Sequence, residues 1–251
     1  MPYADIATGA RLFYEDRGQG AEGEPFILVH GLIGSAAEHF PRVMDWLEPQ
    51  YRVLGLTLRG YGYSTPKPRD FPLRFYHRDA ADVLAFMDAL NIEKAHILGY
   101  SDGGETTLVA AGTQPERFKS VMVIGAIGSF GPEMRPLVQR PYPGDWITDE
   151  EMAFHGIANR AQFTLGWVNA MKAYIDAGGD ISLGLAPKIT CPLLLMLGEN
   201  DTLNPASYGQ KLVDAAPQGR LEIFKCGHAI HDEDWDNFQR VVGDFLKGIS
   251  V

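Results

Sequence analysis

A chain of 251 residues, 45% of them hydrophobic, carries enough apolar material for one large core with a small insertion. Its 22 Lys and Arg against 32 Asp and Glu give a net charge of −10, which argues against nucleic acid or an anionic membrane surface as partner. A small neutral or cationic substrate fits that charge, and a homo-oligomer stays open.

The opening, MPYADIATGARLFYEDRG, has no basic segment followed by an apolar one, so it is not read as a secretory signal. Residues 10–17 (ARLFYEDR) read as a first strand. PFILV at 25–29 is a short buried strand that runs into HGLIGS, and EHFPRVMDWLEP is expected as one amphipathic helix ending near Pro49. YRVLGLTL (51–58) is the next strand, stopped by the turn-rich RGYGYSTP. In 77–90, Ala80, Val83, Leu84, Met87 and Leu90 form one helical stripe, with Asn91 as its end.

AHIL (95–98) is again a strand, and SDGGETTLVAAGTQPERF is a helix starting at the serine. VMVIGAI (121–127), PLLLML (192–197) and RLEIFK (220–225) complete the strands. PASYGQKLVDAA and DNFQRVVGDFLKGI are the closing helices. Continuous apolar runs alternating with helices indicate an α/β fold, a mostly parallel sheet covered on both faces. Residues 128–186 break that rhythm and are expected to form a small helical cap over the carboxyl edge of the sheet. The core is then 1–127 together with 187–251. The longest apolar runs, such as CPLLLML, are far short of a membrane span, so no membrane partner is expected.

Cys191 and Cys226 flank two neighbouring strands at opposite ends, about 15–20 Å apart at the rise of a strand. That is too far for a disulfide, so two buried thiols and a reducing, cytoplasmic setting are expected.

The chemistry centres on Gly99-Tyr100-Ser101-Asp102-Gly103-Gly104. This is G-x-S-x-G with a strand before it and a helix after it, the context a nucleophilic serine needs. Side chains two residues either side of the serine would collide in so sharp a turn, and glycine removes both clashes. A dinucleotide site would need G-x-G-x-x-G, which neither GYSDGG nor HGLIGS supplies. No cofactor is expected. Nor is a metal, since the seven histidines are dispersed and H-E-x-x-H and C-x-x-C are both missing.

A serine alkoxide needs a base, and the base an orienting acid. His228 follows the last strand, on the edge that carries Ser101, and is the expected base, with His231 as its competitor. Asp201, past the 192–197 strand, is the expected acid, with Glu199 as the alternative. The oxyanion donors expected are the backbone N–H groups of Asp102 and Leu32, with Ile33 next after Leu32. His30 is read as shaping its loop.

HGLIGS, LTLRGYGYSTP, LGYSDGG, LGENDTLNP and GHAIHDEDWDNF, in that order, resemble the alpha/beta-hydrolase fold family across essentially the whole chain. The resemblance implies Ser101, Asp201 and His228 as nucleophile, acid and base. It also implies N–H donors at Leu32 and Asp102. GYSDGG, RGYGYSTPKPRDFP and FYHRDAADVLAFMDAL are similar to the valacyclovir-hydrolase-like, or biphenyl-hydrolase-like, serine hydrolases. In that branch the aspartate after the nucleophile is associated with the amino group of alpha-amino acid esters, and Asp102 matches it. The competing reading of the Asp102 carboxylate is an acid stabilising a helix N-terminus. Where many relatives have an aspartate before LRG, this chain has Thr57.

The function expected is a serine hydrolase that cleaves small carboxylic esters through an acyl-enzyme, with alpha-amino acid esters as candidate substrates. Alternatives on the same residues are a cofactor-free haloperoxidase-like perhydrolase and a carbon–carbon bond hydrolase. A third is a non-catalytic receptor or scaffold that keeps the fold.

Overall fold

Apolar runs become the middle of the sheet in the computed structural model, which describes residues 2–18 and 20–249. The strands are β1 (Tyr3–Asp5), β2 (Arg11–Gly18), β3 (Pro25–Val29), β4 (Arg52–Leu56), β5 (Ala95–Tyr100), β6 (Phe118–Ile124), β7 (Leu193–Gly198) and β8 (Gly219–Phe224). Their spatial order is β1-β2-β4-β3-β5-β6-β7-β8. The pairs β1–β2 and β2–β4 are antiparallel, and all others are parallel.

The helices are α1 (Ala36–His39), α2 (Pro41–Leu47), α3 (Phe75–Ala89), α4 (Asp102–Thr113), α5 (Asp149–His155), α6 (Arg160–Asp176), α7 (Ala206–Ala215), α8 (Ile230–Glu233) and α9 (Trp235–Ile249). Alternate side chains of each inner strand enter opposite layers. On β6, Val121 and Val123 join the core under α3, α4 and α7, whereas Met122 and Ile124 join the one under α2 and α9. Burial on both faces is why these strands carry no polar alternation.

The helix expected over EHFPRVMDWLEP is two pieces. Phe40 is non-helical, and Pro41 opens α2 at a position where its missing N–H costs nothing. The strand expected to run to residue 127 stops at Ile124, because Gly125 turns the chain at φ +63°. β1 is a short edge strand with no apolar run to announce it. Asn91 does end α3: at φ 54° it directs its N–H to Asp88 O, and Ile92 N–H reaches Met87 O, closing the helix in a Schellman turn.

Two helices, α5 and α6, lie between β6 and β7 as a small helical cap. Thr148 and Glu151 cap each other's backbone at the start of α5, and the Asn159 side chain accepts the Gln162 N–H at the start of α6. Cys191 and Cys226 are both free and buried. Among the described residues no helix is long and apolar enough to cross a membrane.

Candidate active site

β3 and β5 are neighbours in the sheet, so HGLIGS and GYSDGG emerge side by side at its carboxyl edge. Ser101 sits between β5 and α4 at φ 55°, ψ −121°, a conformation that side chains rarely adopt. The flanking glycines are required by contact. A Cβ on Gly99 would lie 2.3 Å from Gly103 O, and one on Gly103 would lie 2.2 Å from Val29 O. The serine is therefore held by its neighbours rather than by its own preference.

The loops after β7 and β8 bring Asp201 and His228 to the same edge. Ser101 Oγ donates to His228 Nε2 at 2.9 Å, and His228 Nδ1 donates to Asp201 Oδ2 at 2.5 Å. Burial alone would raise the Asp201 pKa. The hydrogen bond and charge of His228, with the donors of Asn204 and Leu203, outweigh it and hold the carboxyl below its usual value. Asn204 Nδ2 donates to Asp201 Oδ2 at 2.9 Å, and Leu203 N–H to Oδ1 at 2.9 Å. The His228 loop is fastened by a residue the sequence did not single out. Glu233 accepts the N–H groups of Gly227 and Ala229, on either side of the histidine.

The alternatives lie apart from the serine. Glu199 is exposed, and its backbone N–H donates to Phe224 O. His231 is buried and donates from Nε2 to His39 O at 2.9 Å. His30 donates from Nδ1 to Gly31 O at 2.7 Å and accepts the Leu58 N–H on Nε2, which fixes the loop that carries Leu32. That loop packs directly on the nucleophile: a Cβ on Gly31 would lie 3.0 Å from Ser101 Cβ. Ile33, next after Leu32, has a φ of 45°.

Asp102 divides its two ends. Its backbone begins α4, while its carboxylate faces the cap, and the residue as a whole is 8% exposed. Tyr76 Oη donates to Oδ1 at 2.6 Å, and Trp167 Nε1 donates to Oδ2 at 3.0 Å. Burial raises its pKa to about 6, with these two donors opposing. One turn on, Glu105 is 2% exposed and raised to about 7 by burial, against the N–H groups of Ile127 and Gly128. Both acids line a cavity of only about 20 Å³ beside Ser101, with Tyr76, Phe130 and Trp167. No Lys or Arg lines it. A larger cavity, about 620 Å³, lies at the seam between residues 67–71 and the cap and is lined by none of Ser101, Asp201 and His228. Trp167 and Phe130 were not foreseen, because the cap carries no motif to point at them.

A family model for the alpha/beta hydrolase fold matches residues 24–170. Serine hydrolase BPHL of Mus musculus is 31% identical over 96% of this chain and 84% of its own. A 2-hydroxy-6-oxononadienedioate/2-hydroxy-6-oxononatrienedioate hydrolase of Paraburkholderia xenovorans is 27% identical, over 94% of this chain and 90% of its own. Among solved structures, the meta-cleavage product hydrolase CumD from Pseudomonas fluorescens superposes with a TM-score of 0.75 at 25% identity, covering 99% of this chain and 98% of that one. Joined to the sheet order and the serine turn, these place the chain in the alpha/beta-hydrolase fold family, as a serine-type hydrolase of small molecules related to the biphenyl- and meta-cleavage-product hydrolases.

Proposed function

We propose that this chain hydrolyses a small carbonyl compound through an acyl-enzyme on Ser101. The observation that carries the reading is the continuous relay Ser101 Oγ, His228 Nε2, His228 Nδ1, Asp201 Oδ2 at 2.9 and 2.5 Å. His228 takes the serine proton as Oγ bonds to the carbonyl carbon. The N–H groups of Leu32 and Asp102 face the oxygen that becomes negative. His228 then passes its proton to the leaving group. Water, deprotonated by His228, releases the acid. Asp201 holds the ring in the required tautomer and balances its charge.

The bond broken is where the initial expectation of a simple ester weakens. The named relatives are mostly hydrolases of meta-cleavage products, which favours a carbon–carbon bond whose electron pair departs onto a conjugated enolate. One observation keeps an amino-ester reading as second: the cavity beside Ser101 is lined by Asp102 and Glu105 with no cation, which suits an ammonium better than a dienoate. In the same reading 128–186 acts as the cap and 1–127 with 187–251 as the core. Gly128 O accepts the N–H groups of Ile181, Ser182 and Leu183, so the outgoing and returning chains meet there.

The test is a panel of vinylogous diketones, plain acyl esters and aminoacyl esters, run on wild type and Ser101→Ala. A loss of about four to six orders of magnitude in kcat is expected for the variant on the preferred class. Undiminished turnover would sink the acyl-enzyme, and the ranking of the three classes decides between the two readings.

A further inference from the structure

Glu105 is a buried acid that the acyl-transfer steps leave unused, yet it sits at the junction of three parts of the site. Its backbone N–H bonds to Ser101 O at 3.1 Å, one turn into the nucleophile helix. Its Oε1 accepts the N–H groups of Ile127 and Gly128, both at 2.9 Å, and Ser182 Oγ donates to Oε2 at 3.4 Å. Ile127 and Gly128 belong to the loop leaving β6. At the start of that loop Gly125 is pressed against the base: a Cβ there would lie 2.6 Å from His228 Cε1. At its far end Gly128 O collects three N–H groups of the returning cap chain at 2.9–3.1 Å.

We propose that Glu105 is a positioning residue, whose carboxylate ties the loop after β6 to the nucleophile helix and so fixes the surface against which the His228 ring rests. The proposal rests on the assignment of Ser101 and His228 made above. Burying a carboxylate without a cation is unfavourable in itself, so packing alone does not account for an acid here. What the carboxylate supplies is one oxygen able to hold two successive backbone N–H groups, which an apolar side chain would leave unsatisfied. Those N–H groups belong to a segment that must not move relative to Ser101. The titratable groups around Glu105 are Asp102 on its own helix, Tyr76 on α3 and Tyr174 on α6. Burial places its pKa at about 7, and the protonated form keeps a carbonyl oxygen for the two N–H groups, so the tie rests on the acceptor and not on the charge.

The test uses a fluorophosphonate probe, which needs no knowledge of the substrate. Ser101 Oγ bonds to phosphorus, fluoride leaves and the serine proton passes to His228. Labelling rates are measured from pH 5 to 9 for wild type, Glu105→Ala and Glu105→Gln, with kcat and KM on p-nitrophenyl acetate. Glu105→Ala should lower the labelling rate and kcat at least tenfold while KM stays within threefold. Glu105→Gln keeps an oxygen for the two N–H groups. It should restore both rates to within threefold and leave the pH profile as in wild type. Wild-type rates in Glu105→Ala, or a folded Glu105→Gln that restores nothing, would overturn the proposal. Should the alanine variant fail to fold, Glu105→Met takes its place, with the same tenfold loss expected and wild-type rates overturning the proposal. Failure of the probe to label wild type is a separate result: it removes the nucleophile assignment, and the role of Glu105 with it.

Discussion

Asp201 on one side of Ser101 and the pair Asp102 and Glu105 on the other are all carboxylates shielded from water, yet they are pushed in opposite directions. Asp201 faces an imidazole that can take a positive charge, and its pKa falls. Asp102 and Glu105 meet only neutral donors, and burial raises them to about 6 and about 7. Hydrogen bonds from phenol, indole and peptide groups do not offset lost hydration, whereas a partner able to carry charge does. The serine thus stands between a side whose ionised form is favoured and a side whose ionised form is disfavoured. Separation of this kind is how carboxylates in one site acquire different tasks.

Four substitutions probe that contrast. The largest effect is expected from Asp201→Asn, which keeps the shape but presents the wrong hydrogen to His228. A fall in kcat of about four orders of magnitude is expected by steady-state assay, and a fall under tenfold would remove the ionised side from the mechanism. Asp102→Asn should reduce any preference for aminoacyl over plain esters about tenfold, with plain esters little changed. An unchanged ratio would leave its carboxylate with Tyr76 and Trp167 alone.

Thermal melts against pH give the third contrast. Raised carboxyl pKa values stabilise the fold fully below the unfolded values of 3.8 and 4.5, and that contribution is lost as pH rises through about 6 and 7. Asp201 has the opposite sign: its contribution is present above 3.8 and lost as pH falls through its lowered value. Asp102→Asn should therefore flatten the decline in Tm between about pH 4 and 6, and Glu105→Gln between about pH 4.5 and 7, and an identical slope would contradict the raised values. The smallest effect is expected from Glu233→Gln, which keeps one acceptor for the His228 loop: a loss of about threefold in kcat with Asp201 untouched.

The sequence displayed the scaffold more fully than the chamber. Ser101, Asp201 and His228 each follow an apolar strand and precede a helix signal, so one pattern located the edge they share. Asn204 and Glu233 stood inside quoted stretches, but their roles come from side chains folding back three to six residues, which strand and helix periods do not encode. The Asp102 carboxylate could be read as a dipole or an amine partner. That Tyr76 and Trp167 occupy it depends on α3 and α6 each bringing a side chain to the start of α4, long-range contacts with no local signature. The split helix at Phe40 was legible in principle, since Pro41 marks a first helical turn.

The cavity beside Ser101, at about 20 Å³, has room for roughly one water molecule. Phe130 and Trp167 wall that space, so on the acyl-enzyme proposed above it suits a water better than a bulky acyl group. Phe130→Ala, which removes one wall, should raise turnover of bulky relative to small acyl esters, and an unchanged ratio would place the substrate elsewhere.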